Sequence, residues 1–272
     1  METIAFIGGG NMARAIIAGL LAKQAAEAAE IMVVEPDAST RLRLLAEHGV
    51  KAIEAPNADI AHAHVVILAV KPQHMREAAG QLAAVAGDSL FITIAAGIRV
   101  GDLSRWLGGR TRIVRSMPNT PAMVHAGITG LHAPAEVDES DRALAERILG
   151  AVGATLWFER ESDLDAVVAV SGSGPAYVFY AIEALEAAAK DLGLPDGASR
   201  SLALWTFVGA TKLAIERGED PAQLRAQVTS KGGTTEAALK VLEAAGVKQH
   251  FIDAVRAARD RSVEMGDALG KD

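Results

Sequence analysis

Short, unbroken apolar runs alternate with stretches of helical spacing over about the first 160 residues. The runs fall at 4–7, 31–35, 65–70, 90–94 and 112–115, with weaker ones at 127–132 and 155–158. Lacking polar alternation, they suit strands covered on both faces, as in a parallel sheet. Between them the segments 11–23, 38–48, 73–85, 100–107 and 138–150 carry the three-to-four-residue period of helices. This rhythm predicts a doubly wound sheet with right-handed crossovers.

Past Asp163 the rhythm stops. Helical segments follow at 174–190, 197–217, 233–244 and 248–268, punctuated by Gly193 with Pro195, Gly218 with Pro221, and Gly246. The expected architecture is α/β: an N-terminal Rossmann-type doubly wound sheet over 1–162, followed by an all-helical dimerisation and substrate-binding domain over 163–272. The segments 174–190 and 197–217 are apolar nearly all round, through Tyr177, Val178, Phe179, Tyr180 and Ile182, then Leu202, Leu204, Trp205, Phe207 and Val208. A helix apolar on every side must be covered on every side. A domain of about 110 residues has too little volume to do that twice. The pattern therefore predicts an obligate dimer of interlocked helical domains, against the alternative of a tight monomeric bundle.

Composition narrows the chemistry. Half of the 272 residues are apolar but only 4% are aromatic, so the interior is expected to be aliphatic. The net charge of −7, with no basic block, argues against nucleic acid as a partner. Cysteine is absent, which excludes disulfides, a catalytic thiolate and thiolate metal sites. No apolar run approaches membrane-spanning length, and the chain opens on its first strand rather than on a leader pattern. A soluble cytoplasmic protein with no membrane partner is expected. His62 and His64 form an H-x-H pair, but no third ligand stands nearby and no metal site is expected.

Two glycine turns carry the candidate chemistry. In the first, the strand at 4–7 runs into Gly8-Gly9-Gly10-Asn11-Met12-Ala13 and then a helix. Gly8, Gly10 and Ala13 fit the dinucleotide fingerprint: a tight turn, close approach of the backbone to a pyrophosphate, and close helix-strand packing. The helix N-terminus offers amides and a positive dipole end to the phosphates. Glu35 closes the second strand, where an acid holds ribose hydroxyls and disfavours a 2′-phosphate. Yet Ser39, Thr40 and Arg41 follow and offer donors to such a phosphate, so both cofactors stay open. Ala69-Val70-Lys71-Pro72, Ala95-Ala96-Gly97 and Met117-Pro118-Asn119-Thr120-Pro121 follow further strands and line the same crevice edge. Asn119 is a candidate to bond the nicotinamide carboxamide or a substrate, or to cap a turn. Ser171-Gly172-Ser173-Gly174-Pro175-Ala176-Tyr177 opens the first long helix, with Ser173 as its expected cap.

The second turn is Thr229-Ser230-Lys231-Gly232-Gly233-Thr234-Thr235. Two glycines and four hydroxyls precede a helix, an arrangement suited to a carboxylate.

Taken together, the glycine turn at 8–13, Val70-Lys71-Pro72, Met117-Pro118-Asn119-Thr120-Pro121, the motif at 171–177 and the turn at 229–235 resemble pyrroline-5-carboxylate reductase from residue 1 to about 266. The resemblance implies a Rossmann domain plus an interlocked helical dimer, in some relatives a decamer. It implies reduction of 1-pyrroline-5-carboxylate to L-proline by NADPH or NADH, the last step of proline synthesis, with a lean to NADPH. It further implies that the loop at Ser230, Lys231, Gly232, Gly233, Thr234 and Thr235 holds the substrate carboxylate and that Thr235 faces the ring nitrogen. The cofactor would touch Gly8, Gly10, Asn11, Met12, Glu35, Asn57, Ala69, Val70, Lys71, Pro72, Ala95, Ala96 and Asn119. Each site is expected to combine one subunit's crevice with its partner's helical loop. A β-hydroxyacid dehydrogenase shares this plan but needs a basic residue such as Lys on the first long helix, whose only lysine, Lys190, lies at its far end. A non-catalytic nucleotide sensor would have no reason for the second turn.

Overall fold

The structure is a computed structural model that describes residues 2–271. Strands β1 (Ile4–Ile7), β2 (Ile31–Val34), β3 (Lys51–Ile53), β4 (Val65–Leu68), β5 (Leu90–Thr93), β6 (Ile113–Met117), β7 (Gly127–His132) and β8 (Gly153–Trp157) form one eight-stranded sheet. Their order is β3-β2-β1-β4-β5-β6-β7-β8. The strands from β1 to β6 are mutually parallel, β7 turns antiparallel to β6, and β8 runs parallel to β7.

Helices α1 (Asn11–Ala22), α2 (Ala38–His48), α3 (Met75–Ala83), α4 (Val100–Trp106) and α5 (Glu139–Leu149) cover the sheet on both faces. Ile16, Ile17 and Leu20 of α1, Leu44 of α2 and Ile148 of α5 pack with Ile4 and Phe6 on one face. Met75, Ala79 and Leu82 of α3 and Leu103 of α4 pack with Ala5 and Ile7 on the other. This double cover is why successive residues of β1 are all apolar and all buried. Strand β3 went unread in the sequence. It has three residues, begins with an exposed Lys51 and pairs only with β2 at the sheet edge, so it carries no apolar run.

Helix α6 (Asp163–Val167) was not expected either. It continues through a π-helical turn, Val168–Gly172, into α7 (Gly174–Asp191). The expected cap at Ser173 is corrected accordingly: Ser173 has helical angles, and its N–H donates to the Val168 carbonyl at 2.8 Å, five residues back. Pro175 follows two residues after this bond. It has no N–H to give the Ser171 carbonyl, and the Asn119 side-chain amide donates to that oxygen instead, at 3.1 Å. Helices α8 (Asp196–Arg217), α9 (Pro221–Gln227), α10 (Thr234–Ala244) and α11 (Val247–Leu269) complete the chain.

Packing divides the chain into two compact units. One comprises the described residues up to Ser173 together with those from Ala258 onward; the other is Gly174–Ala257. Residues 163–173 and 258–271 therefore pack with the sheet, although they follow the 162/163 division expected from the sequence. The cause is an ionic cluster on the sheet unit. Arg115 of β6, 4% exposed, reaches Glu161 at 3.1 Å and Asp165 at 3.5 Å. Asp165 also accepts the Ser262 hydroxyl at 2.8 Å, and Glu161 accepts the Val100 N–H at 2.7 Å. Arg99 pairs with Asp267 at 2.6 Å, and Leu269 packs into the apolar layer under α4.

Candidate active site

The first glycine turn is held by the strands on either side of β1. The Gly8 N–H donates to the Val34 carbonyl and the Ala69 N–H to the Ile7 carbonyl, both at 2.8 Å. Gly8 has φ +100°, and a Cβ there would lie 2.9 Å from the Ala69 oxygen, so both the turn and the neighbouring strand end require glycine. Gly10 is the N-cap of α1 and contributes no side-chain cap; a Cβ there would meet nothing within 4 Å. No acidic residue stands in the first turn of α1. The amides of Asn11 and Met12 thus open onto an uncovered backbone surface with the positive end of the helix behind it, which fits a pyrophosphate. Ala13 is fully buried against the sheet, as close packing demands.

Because β2, β1, β4, β5 and β6 are parallel, the loops after them emerge on one edge. The order reverses between β1 and β4, the switch point where dinucleotides bind. Ala69 and Val70 are half-buried there, Lys71 is exposed, and Pro72 starts a short turn. Ala95 is buried and Ala96 half-buried after β5. Asn57 follows β3, where its side chain accepts the Asp59 N–H at 3.0 Å. Asn119 follows β6 and is more committed: besides donating to Ser171, its carbonyl oxygen accepts the Ile128 N–H at 3.0 Å. It makes no cap bond, so its side chain ties β7 and the π-helical turn to the crevice edge.

Glu35, next after β2, accepts the Gly9 N–H at 2.8 Å and the Asp37 N–H at 2.9 Å. The donors offered for a 2′-phosphate are engaged elsewhere. The Ser39 hydroxyl and the Thr40 N–H donate to Asp37 at 2.6 and 2.7 Å, and such bonds hold the Asp37 carboxyl down at about 2. The Arg41 guanidinium donates to the Glu35 and Pro36 carbonyls at 2.8 and 2.7 Å. Two carboxyl groups, Glu35 and Asp37, therefore stand at the end of β2. Sequence spacing did not reveal this use of Ser39, Thr40 and Arg41, although Asp37 three residues before Thr40 is an ordinary N-cap signal.

The second glycine turn lies in the helical unit and joins α9 to α10. Gly232 has φ +73°, and Gly233 is the N-cap of α10, with no side-chain cap bond. The Gly233 N–H donates to the Ser230 carbonyl at 3.0 Å, which closes the loop. Thr229 turns its hydroxyl back to the Arg225 carbonyl at 2.6 Å, leaving Ser230, Thr234 and Thr235 as the hydroxyls of the loop face. Ser230, Lys231, Gly232 and Thr234 are exposed and Thr235 half-buried. One participant was missed in the sequence: Glu236, whose carboxylate accepts the Gly232 N–H at 2.7 Å. Its signal was an acidic residue in the third position of the helix.

Among the described residues, no group of three or more His, Asp or Glu side chains is arranged to hold a metal ion. No helix among the described residues is long and apolar enough to cross a membrane. His64 uses its Nδ1 to accept the Thr3 N–H at 3.1 Å.

A family model described as pyrroline-5-carboxylate reductase dimerisation matches residues 161–265, and one described as NADP oxidoreductase, coenzyme F420-dependent, matches residues 3–97. A pyrroline-5-carboxylate reductase of Pseudomonas aeruginosa is 43% identical over 269 residues, covering 98% of each chain. The chain belongs to the pyrroline-5-carboxylate reductase family. It is accordingly an oxidoreductase, and its likeness to other members extends to the whole fold. The structure of a pyrroline-5-carboxylate reductase from Coxiella burnetii is 40% identical and superposes with a TM-score of 0.92, over 97% of this chain and 98% of that one. The Plasmodium falciparum reductase, solved with NADP bound, is 27% identical with a TM-score of 0.85, again over 97% and 98%.

Proposed function

We propose that the chain reduces 1-pyrroline-5-carboxylate to L-proline, the last step of proline synthesis, with a nicotinamide dinucleotide bound along the β1–β6 crevice edge. The observation that carries this reading is the pairing of two differently built glycine turns in one family member. The uncapped turn at Gly8, Gly9 and Gly10 suits a pyrophosphate, and the hydroxyl-rich turn at 229–235 suits a small carboxylate. Asn11 and Met12 hold the phosphates through their amides. Glu35 and Asn57 attend the adenosine end, and Ala69, Val70, Lys71, Pro72, Ala95, Ala96 and Asn119 line the rest. The reduced nicotinamide supplies the hydride.

The substrate, a cyclic imine, is already a strong electrophile once protonated. The protein has mainly to orient it and exclude water, and needs no strong base. Ser230, Lys231, Gly232 and Thr234 fix the carboxylate around the first turn of α10, where helix amides lack intrahelical partners. The Thr235 hydroxyl hydrogen-bonds the ring nitrogen.

At the adenosine end the residues of this chain favour NADH over the NADPH to which the resemblance leans. Glu35 and Asp37 would repel a 2′-phosphate, and Arg41 is occupied by backbone carbonyls. In the helical unit, Tyr180 and Trp205 are 73% and 72% exposed, and Phe179 and Ile215 are exposed with them. Apolar surface of this extent calls for a partner, and a second copy of this chain, joined through α7 and α8, is the proposed one. Purified protein should oxidise reduced nicotinamide when given pyrroline-5-carboxylate and should not reduce the oxidised cofactor when given 3-hydroxyacids. Absence of turnover with the imine would overturn the reading.

A further inference from the structure

The Gly232 amide, at the mouth of the second glycine turn, already carries a carboxylate. Glu236 stands one helical turn further on, at the third position of α10, and reaches back to accept the Gly232 N–H at 2.7 Å. The usual reciprocal cap sends a third-position carboxylate to the N-cap amide. Here that amide, on Gly233, is bonded to the Ser230 carbonyl at 3.0 Å, and Glu236 passes one residue beyond it. Gly232 itself is open, since a Cβ there would meet nothing within 4 Å.

We propose that Glu236 is an internal competitor of the substrate carboxylate: it holds the Gly232 N–H and must swing away when the imino acid enters the loop. This rests on the reading of the 229–235 turn as the carboxylate site.

Two facts support it. First, two carboxylates cannot share one amide without strong like-charge repulsion, and a substrate carboxylate seated on Ser230 and the first turn of α10 would lie beside Glu236. Second, the released carboxylate has a ready partner. The Lys240 ammonium lies 3.5 Å from the same Glu236 oxygen, one turn along α10 and on its exposed side. Glu236 therefore keeps an ion pair after it lets go of Gly232, and the cost of displacement stays small. The consequence is selectivity: only a ligand whose carboxylate is presented together with further contacts, such as the ring nitrogen, outcompetes the resident side chain.

The test compares the full-length protein with Glu236→Ala and Glu236→Gln. The readouts are KM for pyrroline-5-carboxylate, the inhibition constant of L-proline as a carboxylate probe, and KM for the nicotinamide cofactor. Glu236→Ala should lower the first two by about threefold or more, an effect carried by KM rather than kcat, with the cofactor KM unmoved. Glu236→Gln, which keeps an acceptor for Gly232 but loses the charge, should fall between. It also decides the matter if the alanine variant fails to fold. Glu243→Gln, which removes a carboxylate further along α10, should leave KM where it is; an equal fall there would reduce the effect to net charge and overturn the proposal. Ser230→Ala and Thr234→Ala separate this idea from the site reading beneath it. If they raise KM while the Glu236 variants do not lower it, the site stands and Glu236 is only a helix cap. If none of the four moves KM, the carboxylate site itself is wrong.

Discussion

At the scale of single residues, the proposed preference for NADH turns on Glu35. Its carboxylate is pinned between the Gly9 and Asp37 amides, so it cannot turn away from an incoming 2′-phosphate without giving up both bonds. Replacing it with serine removes the repulsion and supplies a hydroxyl. Glu35→Ser should shift the ratio of kcat/KM for NADPH over NADH upward by about tenfold or more, measured with the imine saturating. An unchanged ratio would mean that the 2′ position lies elsewhere. Thr235 is the other residue to which a specific role is proposed. A threonine hydroxyl is a poor acid, and the protonated imine needs little help, so Thr235→Ala should lower kcat by a modest factor. A loss beyond roughly 10⁴-fold, typical of a true general acid, would contradict hydrogen bonding as its task. Asn119 shows why a residue type in a loop is a weak guide. Its amide was a candidate for the cofactor, yet it spends a donor on Ser171 and an acceptor on Ile128.

At the scale of elements, the decisive feature is how the second half of α11 is tied to the sheet unit. Arg115 is the buried cation of that junction, and it faces Asp165, whose side chain is 10% exposed, together with Glu161. Removing the cation leaves Asp165 with the Ser262 hydroxyl, a more distant Arg99 and little water. Arg115→Ala should therefore cost about 3 kcal/mol in urea unfolding at fixed protein concentration. It should also speed amide exchange over 258–271 before it does so in β1 or β4. Exchange accelerated evenly across the sheet would argue that the cluster supports the fold at large rather than this junction. The π-helical turn is the second element-scale result. Pro175 has no N–H to offer, and the Ser171 carbonyl is taken by a side chain 52 residues earlier in the chain.

At the scale of the whole molecule, the helices that the sequence marked as apolar all round leave large apolar side chains such as Phe179, Tyr180, Trp205 and Ile215 exposed. Trp205 lies mid-way along α8 with most of its surface in solvent. A glutamate there costs an isolated chain little but cannot be buried against a second copy. Trp205→Glu should sediment as a monomer and lose activity, while a dimer that persists would remove α8 from the interface. The same measurement on the unaltered protein distinguishes a dimer from a decamer. Much of this plan was legible along the chain. The strands buried on both faces, the glycine turns, the helix stops at Gly193, Gly218 and Gly246, and the apolar excess of α7 and α8 all come from near neighbours, so period and turn chemistry report them directly. Other features were settled only by folding: the edge strand β3, the antiparallel turn of β7, the unbroken passage from α6 to α7, the return of 258–271 to the sheet, and the carboxylates of Glu35 and Glu236 on glycine amides. Strand pairing and the junction contacts join residues far apart in sequence, such as Ser262 and Asp165. The Glu236 contact turns on which amide the loop leaves available. Local pattern carries no trace of such choices, because they depend on what the rest of the chain has already brought alongside.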